Sequence, residues 1–273
     1  MDRYKNIALA STFSPRFLPL LAEAGRIAGK LNCNLSVIHA GEENQESREK
    51  FEAAFKDLAL SRWPAIHWTN GGEPAAAILK TIREQGIDLL VAGALEKEAS
   101  GRQYVGNVAR TLLRDAPCSL LLFTKPSVDP QPFREIVVIT DFSELSVVSL
   151  QRAYFLARQN SAERIRVVRV FTIFTQAKEQ PAEFFGKTDA RASMLEAEER
   201  HIKEFAAAAG PSPVPVETIC VEGTTGFAAS DYVESVKADL LVIPSRPPGT
   251  PQLLPDGMDW VFSVIPSNLF IVR

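Results

Sequence analysis

The sequence predicts an α/β protein built from two tandem domains, each with a five-stranded, mostly parallel sheet and helices on both faces. Strand-like apolar runs alternate with helix-like segments along the 273 residues, which is typical of βαβ units. The order of segments in the first half is repeated in the second. Two short sequence motifs also recur: DLLVAG from Asp88 is repeated as DLLVIP from Asp239, and APCSLLLF from Ala116 is repeated as IPSNLFIV from Ile265. Duplication of one fold explains these repeats.

The first half alternates regularly between the two kinds of segment. Apolar and β-branched runs predict strands at residues 7–10, 35–40, 66–69, 88–92 and 120–123. Periodic apolar residues predict helices at 15–30, at 42–60 and from Pro74, a residue that suits a first helical turn. A further helix is predicted after a polar loop, because apolar residues recur at i, i+3, i+4 and i+7 from Val105 to Leu112.

A proline-rich stretch separates the halves. Residues 124–134 hold three prolines and almost no apolar periodicity, which is typical of an interdomain linker. We therefore predict a first domain at 1–126, a linker at 127–134 and a second domain at 135–273. The second half has predicted strands at 136–140, 165–171, 214–221, 239–243 and 269–272, and predicted helices that begin at the N-cap residue Ser143 or span 189–209 and 225–236.

Composition favours a globular protein and excludes some partners. Apolar residues make up 46% of the chain and charged residues 23%, which are ordinary values for a folded domain. A net charge of −3 gives no electrostatic reason to expect a nucleic acid or an anionic membrane as a partner. No apolar run is long enough to cross a bilayer, and residues 1–6 do not resemble a secretion signal. We expect a cytoplasmic protein.

The cysteines and histidines do not form a recognisable metal or redox pattern. Cys33, Cys118 and Cys220 lie far apart without CxxC pairing, so we expect three buried thiols that act as small apolar residues. The three histidines are equally scattered, and His39, near the end of the second predicted strand, is expected to be a structural residue whose hydrogen bonds are satisfied. No metal site is predicted.

Several segments together resemble the universal stress protein domain. The segments are IALASTFSP from Ile7, LSVIHA from Leu35, GEPAAAILKTIREQGIDLLVAGA from Gly72 and GNVARTLLRDAPCSLLLF from Gly106, and IVVITDFSE from Ile136 and IRVVRVF from Ile165 in the second half. The resemblance implies a parallel sheet with strand order 3-2-1-4-5, and often dimerisation through the last strands. It also implies that many members bind ATP through an aspartate after strand one and a G-x2-G-x9-G-(S/T) loop after strand four.

The first half keeps the length of that loop but changes its residues. Gly93 and Gly106 are thirteen positions apart, as the outer glycines require, whereas Glu96 replaces the middle glycine. Asn107 replaces the hydroxyl residue, although it can still cap the following helix, and Thr12 stands where the aspartate is expected. The candidate nucleotide-binding residues in this half are Thr12, Ala40, Gly93, Gly106, Asn107 and Val108.

The second half departs from the pattern in the complementary way. Asp141 matches the aspartate after strand one, and with Val170 it forms the pair of candidates in this half. Pro244 and Pro247 occupy the first two glycine positions, and proline has no amide to offer a phosphate. Asp141 is therefore interpreted as a helix-start residue beside the capping residue Ser143.

These patterns predict a tandem universal stress protein with a non-enzymatic stress-response or regulatory role and weak or lost nucleotide binding. The alternative is a sensor that binds ATP, AMP or another small molecule in the first-half cleft. GKT at 186–188 lacks the earlier glycine of a phosphate loop, and neither G-x-S-x-G nor H-E-x-x-H occurs. ATP is a possible ligand, and no cofactor is required. For partners, we expect the two halves to pair along 120–123 and 269–272 as a pseudo-dimer, with a homo-oligomer or an unknown protein partner also possible.

Overall fold

The computed structural model describes residues 4–69, 71–96, 103–171, 190–223, 227–255, 257–262 and 264–273. In the first half, strands β1 to β4 are Asn6–Ser11, Asn34–His39, Ala65–Trp68 and Leu89–Gly93, and β7 is Ser119–Phe123. Helices α1 to α4 are Phe17–Leu31, Gln45–Asp57, Pro74–Glu84 and Asn107–Asp115. The two-residue strands β5, Leu95–Glu96, and β6, Gln103–Tyr104, lie between β4 and α4.

The second half repeats most of this order. Its strands β8 to β11 are Glu135–Ile139, Arg164–Phe171, Val216–Glu222 and Leu240–Pro244, and β13 is Asn268–Val272. The α-helices in the described part of this half are α5, Glu144–Asn160, α6, Ala190–Ala208, and α7, Phe227–Ser235. A short 3₁₀ helix, Asp259–Phe262, and β12, Val264–Ile265, precede β13, where the first half has α4.

The strands of both halves form one continuous ten-stranded sheet. Its order is β10-β9-β8-β11-β13-β7-β4-β1-β2-β3. Within each half the neighbouring strands are parallel, so the strand order is 3-2-1-4-5 twice. The fold class and the strand order expected from the resemblance are confirmed.

The junction of the two halves is an antiparallel pair of their last strands. Leu269 and Ile271 of β13 lie opposite Leu122 and Leu120 of β7. Because each strand would otherwise be an apolar sheet edge, this pairing removes two surfaces that invite association with other chains. The predicted pseudo-dimer along residues 120–123 and 269–272 is confirmed.

Helices cover both faces of the sheet, and alternate residues of the strands point to opposite faces. On β1, Ile7 and Leu9 are buried in one apolar cluster with residues of α1, α2, α5 and α6. Ala8 between them is buried in a second cluster with residues of α3, α4, α7 and the 3₁₀ helix. Each cluster extends through both halves, so the pseudo-dimer has one continuous core on each face.

A second, small sheet was not predicted from the sequence. It has three strands in the order β12-β6-β5, and both pairs are antiparallel. The helix expected to include Val105 begins two residues later, at Asn107, and Val105 is buried just before it. Paired strands of two residues have no sequence period to detect, which is why this region was interpreted as a polar loop.

Phe133, in the predicted linker, is part of the apolar core. The boundaries of the two domains at 126 and 135 stay a prediction. Phe133 is buried and stacks on Phe123 with the ring centroids 6.1 Å apart. The guanidinium of Arg26 lies 4.8 Å from the Phe133 ring centroid.

Residues 186–188 and the first residues of the helix predicted at 225–236 lie outside the described ranges. Among the residues that the structure describes, none of the helices is long and apolar enough to span a membrane.

Candidate functional site

A cleft of about 460 Å³ opens at the carboxyl ends of β1 and β4 in the first half. This is the position at which open parallel sheets bind ligands, because the connections there diverge to opposite faces. The structure brings all six first-half candidates together on its walls: Thr12, Ala40, Gly93, Gly106, Asn107 and Val108. We call this cavity the first-half cleft.

The turn after β1 forms one wall of the first-half cleft. Ser11 ends β1 and is buried, whereas Thr12 is exposed and its carbonyl accepts a hydrogen bond from the Ser14 amide at 2.8 Å. Thr12 carries a hydroxyl at the position where a carboxylate was expected. The wall can therefore donate or accept a hydrogen bond through Thr12, but that residue gives it no negative charge.

The first turn of α4 forms the opposite wall. Gly106 is the N-cap residue in an extended conformation, and no side chain caps the helix. The expectation that Asn107 caps α4 is wrong, because Asn107 is already the first helical residue and the cap position belongs to Gly106. Amides of this first turn have no partner within the helix and point toward the cleft end of α4.

Most of the remaining lining is apolar. Leu9, Phe17, Leu20, Ile78 and Leu112 contribute side chains from β1, α1, α3 and α4. A Cβ on Gly93 would approach Leu20 Cδ1 to 2.9 Å, so a glycine here allows the end of β4 to lie close to α1. An apolar cleft with a few polar groups at its mouth is the usual design of a small-molecule site.

Arg16 lines the first-half cleft and was missed in the sequence. Its guanidinium donates hydrogen bonds to the carbonyl oxygens of Ala94 and Thr124, which follow β4 and β7. Arg16 therefore ties the turn after β1 to the ends of two neighbouring strands. An arginine directly before a helix gave no signal of this role, because both of its partners are distant in sequence.

A buried histidine lies behind Ala40 in an aromatic cluster. His39 is 5% exposed, and its ring centroid is 4.5 Å from that of Phe13, 5.2 Å from Phe51 and 5.4 Å from Trp68. Its Nδ1 has no hydrogen-bond partner. Burial lowers the pKa of His39, and a hydrogen bond with the Ser11 backbone offsets part of that effect. The expectation that the hydrogen bonds of His39 are satisfied is therefore wrong for Nδ1.

The second-half candidates do not line the first-half cleft. Val170 lies half-buried on β9, and Asp141 follows β8. Asp141 Oδ1 accepts hydrogen bonds from the Ser143 amide at 3.0 Å, from the Ser143 hydroxyl and from the Ser146 hydroxyl at 2.6 Å. Burial alone raises the pKa of Asp141, but these hydrogen bonds outweigh it and the pKa is lowered. The carboxylate is committed to the start of α5, where Ser143 is the N-cap residue.

Backbone chemistry at the end of β11 also differs from that of β4. Pro244, the last residue of β11, is buried and paired with Val272 of β13. Neither Pro244 nor Pro247 has an amide hydrogen, so this turn cannot present the donors that glycines present to a phosphate. The described part of the second half therefore lacks two features of the expected loop.

The three cysteines are free thiols that differ in burial. Cys118 is buried as expected, whereas Cys33 and Cys220 are half-buried, which corrects the expectation for those two. Burial raises the pKa of Cys118 to about 12, so its thiol stays protonated at neutral pH. Among the described residues, no three His, Cys, Asp or Glu side chains are grouped as a metal site would require.

Comparison with known proteins identifies both a family and a fold. The model of the universal stress protein family matches residues 66–124 and 132–255, which fall in both halves. The structure of a functionally unknown protein from Pseudomonas aeruginosa is similar to this one, with a TM-score of 0.72 and 16% sequence identity. The match covers 98% of this chain and 92% of the Pseudomonas chain. A universal stress protein from Archaeoglobus fulgidus matches 98% of both chains, with a TM-score of 0.65 and 16% identity. No curated protein matches the sequence.

Proposed function

The chain belongs to the universal stress protein family, and from that premise we propose that it is a non-enzymatic, cytoplasmic stress-response protein whose first-half cleft binds a small molecule. The observation that carries the proposal is that the six residues at the motif positions of the first half line one cavity of about 460 Å³. They come from four different loops and elements of the first half. A cavity of this size is in the range that small ligands occupy.

The lining of the first-half cleft favours a ligand other than ATP. Thr12 supplies no carboxylate for a ribose hydroxyl, and Leu9, Phe17 and Ile78 present apolar walls. The amides at the start of α4 still favour an anionic or strongly polar group near the mouth. A mainly apolar small molecule with one such group fits these features better than a triphosphate. ATP binding is proposed to be weak or absent.

The polar groups of the cleft support a binding role without catalysis. Ser11, Thr12 and Ser14 supply hydroxyls, and Arg16 supplies the charge among the described lining residues. General acid–base or nucleophilic catalysis would need a histidine, a carboxylate or a thiol within hydrogen-bonding reach of such a hydroxyl. None of the described lining residues is of those types.

The test is a thermal-shift screen of the full chain with a matched pair of tryptophan variants. The panel contains ATP, AMP, adenosine and small apolar carboxylates and amines. Val108 is 37% exposed at the mouth of the cleft, and Val148 is 40% exposed on α5 in the second half. Val108→Trp should fill the mouth, whereas Val148→Trp adds the same side chain at a remote site.

A true ligand at about 100 times its Kd should stabilise the wild type by about 2.7 kcal/mol. We expect the same stabilisation in Val148→Trp and little or none in Val108→Trp. Failure of every compound to stabilise the wild type, or equal stabilisation of the two variants, would contradict binding in the first-half cleft. Submicromolar ATP affinity by calorimetry would contradict the proposed weakness toward ATP.

A further inference from the structure

Helix α4 connects the first-half cleft to the second half of the chain. Its first turn supplies Gly106, Asn107, Val108 and Ala109 to the cleft wall. Both ends of the same helix are also bound by residues of the second half. The position of this wall is therefore fixed by contacts that the first half does not make by itself.

At the amino-terminal end of α4, a strand from the second half pairs with the segment that leads into the helix. In the small sheet, Ile265 of β12 lies opposite Gln103 of β6, and Val264 lies opposite Tyr104. Strand β6 ends three residues before α4 begins. Backbone pairing at this point restricts where the first turn of α4 can lie.

Arg110 on α4 adds a side-chain link at this end. Its Nε donates a hydrogen bond to the carbonyl oxygen of Phe262 at 3.0 Å. Its Nη2 donates to the carbonyl oxygen of Val105 at 3.3 Å. One guanidinium thus joins the second-half 3₁₀ helix to the residue that precedes the cleft wall.

At the carboxyl-terminal end of α4, Arg273 performs a similar function. Its guanidinium donates hydrogen bonds to the carbonyl oxygens of Leu113 and Ala116, which belong to the last turn and the C-cap. These are helix-end carbonyls that lack partners within the helix, and a cation is favourable there. The backbone amide of Arg273 is held by the Ser119 hydroxyl at 3.2 Å.

Apolar packing joins the same elements between these two ends. Val261 and Ile265 of the second half are almost fully buried, as are Leu112 and Leu113 of α4. All four belong to one core cluster. Helix α4 and these second-half residues therefore share one apolar core on this face of the sheet.

We propose that the second half acts as a clamp on α4, so that the ligand affinity of the first-half cleft depends on the contacts of Arg110, Arg273 and β12. The second half lacks features of the nucleotide-binding loop, and in this proposal it regulates the first-half cleft instead. Coupling of this kind is reciprocal, so ligand binding in the cleft must also tighten the clamp. This inference rests on the proposed binding function of the cleft.

The test compares three clamp variants with one surface control in the full chain. Arg110→Met and Arg273→Met keep an aliphatic side chain but remove the guanidinium donors. Arg83→Met changes an exposed arginine on the neighbouring helix α3, and Arg83 contributes none of the hydrogen bonds described above. Arg110→Lys is a second variant that keeps the charge without the fork that bonds two carbonyls. Melting temperatures confirm that each variant folds.

The first readout is hydrogen–deuterium exchange of residues 103–116 in the ligand-free protein. We expect exchange to be about tenfold faster in the clamp variants than in the Arg83→Met control, because local opening of α4 becomes easier. The second readout is a fluorescence titration with 8-anilinonaphthalene-1-sulfonate, an aromatic sulfonate that suits an apolar cleft with a polar mouth. We expect its affinity to fall about fivefold or more in the clamp variants.

The two readouts separate failure of the clamp from failure of the binding site. Unchanged exchange in Arg110→Met, Arg110→Lys and Arg273→Met would overturn the clamp. Faster exchange with unchanged probe affinity would overturn the coupling. Equal probe affinity for Val108→Trp and the wild type would overturn the binding function on which the coupling rests, whatever the exchange data show.

Discussion

At the scale of single residues, the repeated motif that begins at Asp88 and at Asp239 has a physical explanation. Asp88 Oδ2 accepts a hydrogen bond from the Lys5 amide at 2.7 Å, and Asp88 Oδ1 accepts one from the Asn6 amide at 3.2 Å. Asp239 Oδ2 accepts the amides of Arg134 and Glu135 at 2.8 and 2.9 Å. In each half, the aspartate before the fourth strand therefore fixes the start of the first strand. This role explains why an aspartate begins both copies of the repeated motif, DLLVAG and DLLVIP.

This role predicts equal effects of two distant substitutions. Asp88→Ala and Asp239→Ala should each lower the free energy of unfolding by about 1–3 kcal/mol, because each removes a charged acceptor from two backbone amides. Urea denaturation measures the change. Asp57→Ala, at the exposed end of α2, is the control and should change stability by less than about 0.5 kcal/mol. An effect of either test variant no larger than the control would refute the role.

The environment of His39 predicts a pH dependence with a definite sign. Burial lowers the pKa of His39 in the folded protein, so the unfolded chain binds a proton at higher pH than the folded one does. The stability that neutral His39 contributes is complete above its unfolded pKa of about 6.5 and is lost as the pH falls from there toward the folded pKa. Phe13, Phe51 and Trp68 offer no acceptor for a protonated ring.

His39→Phe should therefore reduce the loss of stability between about pH 7.5 and pH 5.5. Urea denaturation of both proteins across this range measures the difference in their slopes. Because the carboxylates are common to the two proteins, the comparison isolates His39. Identical slopes would show that His39 is not held neutral by its surroundings.

At the scale of secondary-structure elements, the long elements could be predicted from the sequence and the short ones could not. Strands such as β4 and β11 are buried on both faces, and their continuous apolar runs are easily recognised. The capped start of α5 at Ser143 was equally visible. Strands β5, β6 and β12 have two residues each and exist only through pairing. The β12–β6 pair joins segments about 160 positions apart, which no local pattern reveals.

The candidate site shows the same division between local pattern and tertiary contact. Gly93, Gly106 and Thr12 were found because their spacing along the chain matches a motif, and the fold brings them to one cavity. Arg16 and Arg110 were missed because their partners are backbone carbonyls that only the folded chain brings near. Carbonyl acceptors are present at every residue, so they leave no trace in the sequence.

At the scale of the whole molecule, two halves with the same strand order share a core on each face of the sheet and differ in local chemistry. The β7–β13 junction closes the sheet between them, and Tyr4 of the first half packs edge-on against Phe270 of the second with the centroids 6.2 Å apart. Arg26 on α1 donates a hydrogen bond to Asn160 on α5 across the same boundary. The first half keeps glycines and open helix-end amides at its cleft, whereas the second half has prolines and a committed Asp141 at the corresponding positions.

We propose that each chain binds one ligand, in the first-half cleft. Isothermal titration calorimetry of the full chain with the tightest ligand from the thermal-shift screen measures the stoichiometry directly. We predict one ligand per chain for the wild type and for Val148→Trp, and an affinity at least about tenfold lower for Val108→Trp. Two ligands per chain, or one ligand bound with unchanged affinity by Val108→Trp, would contradict the claim.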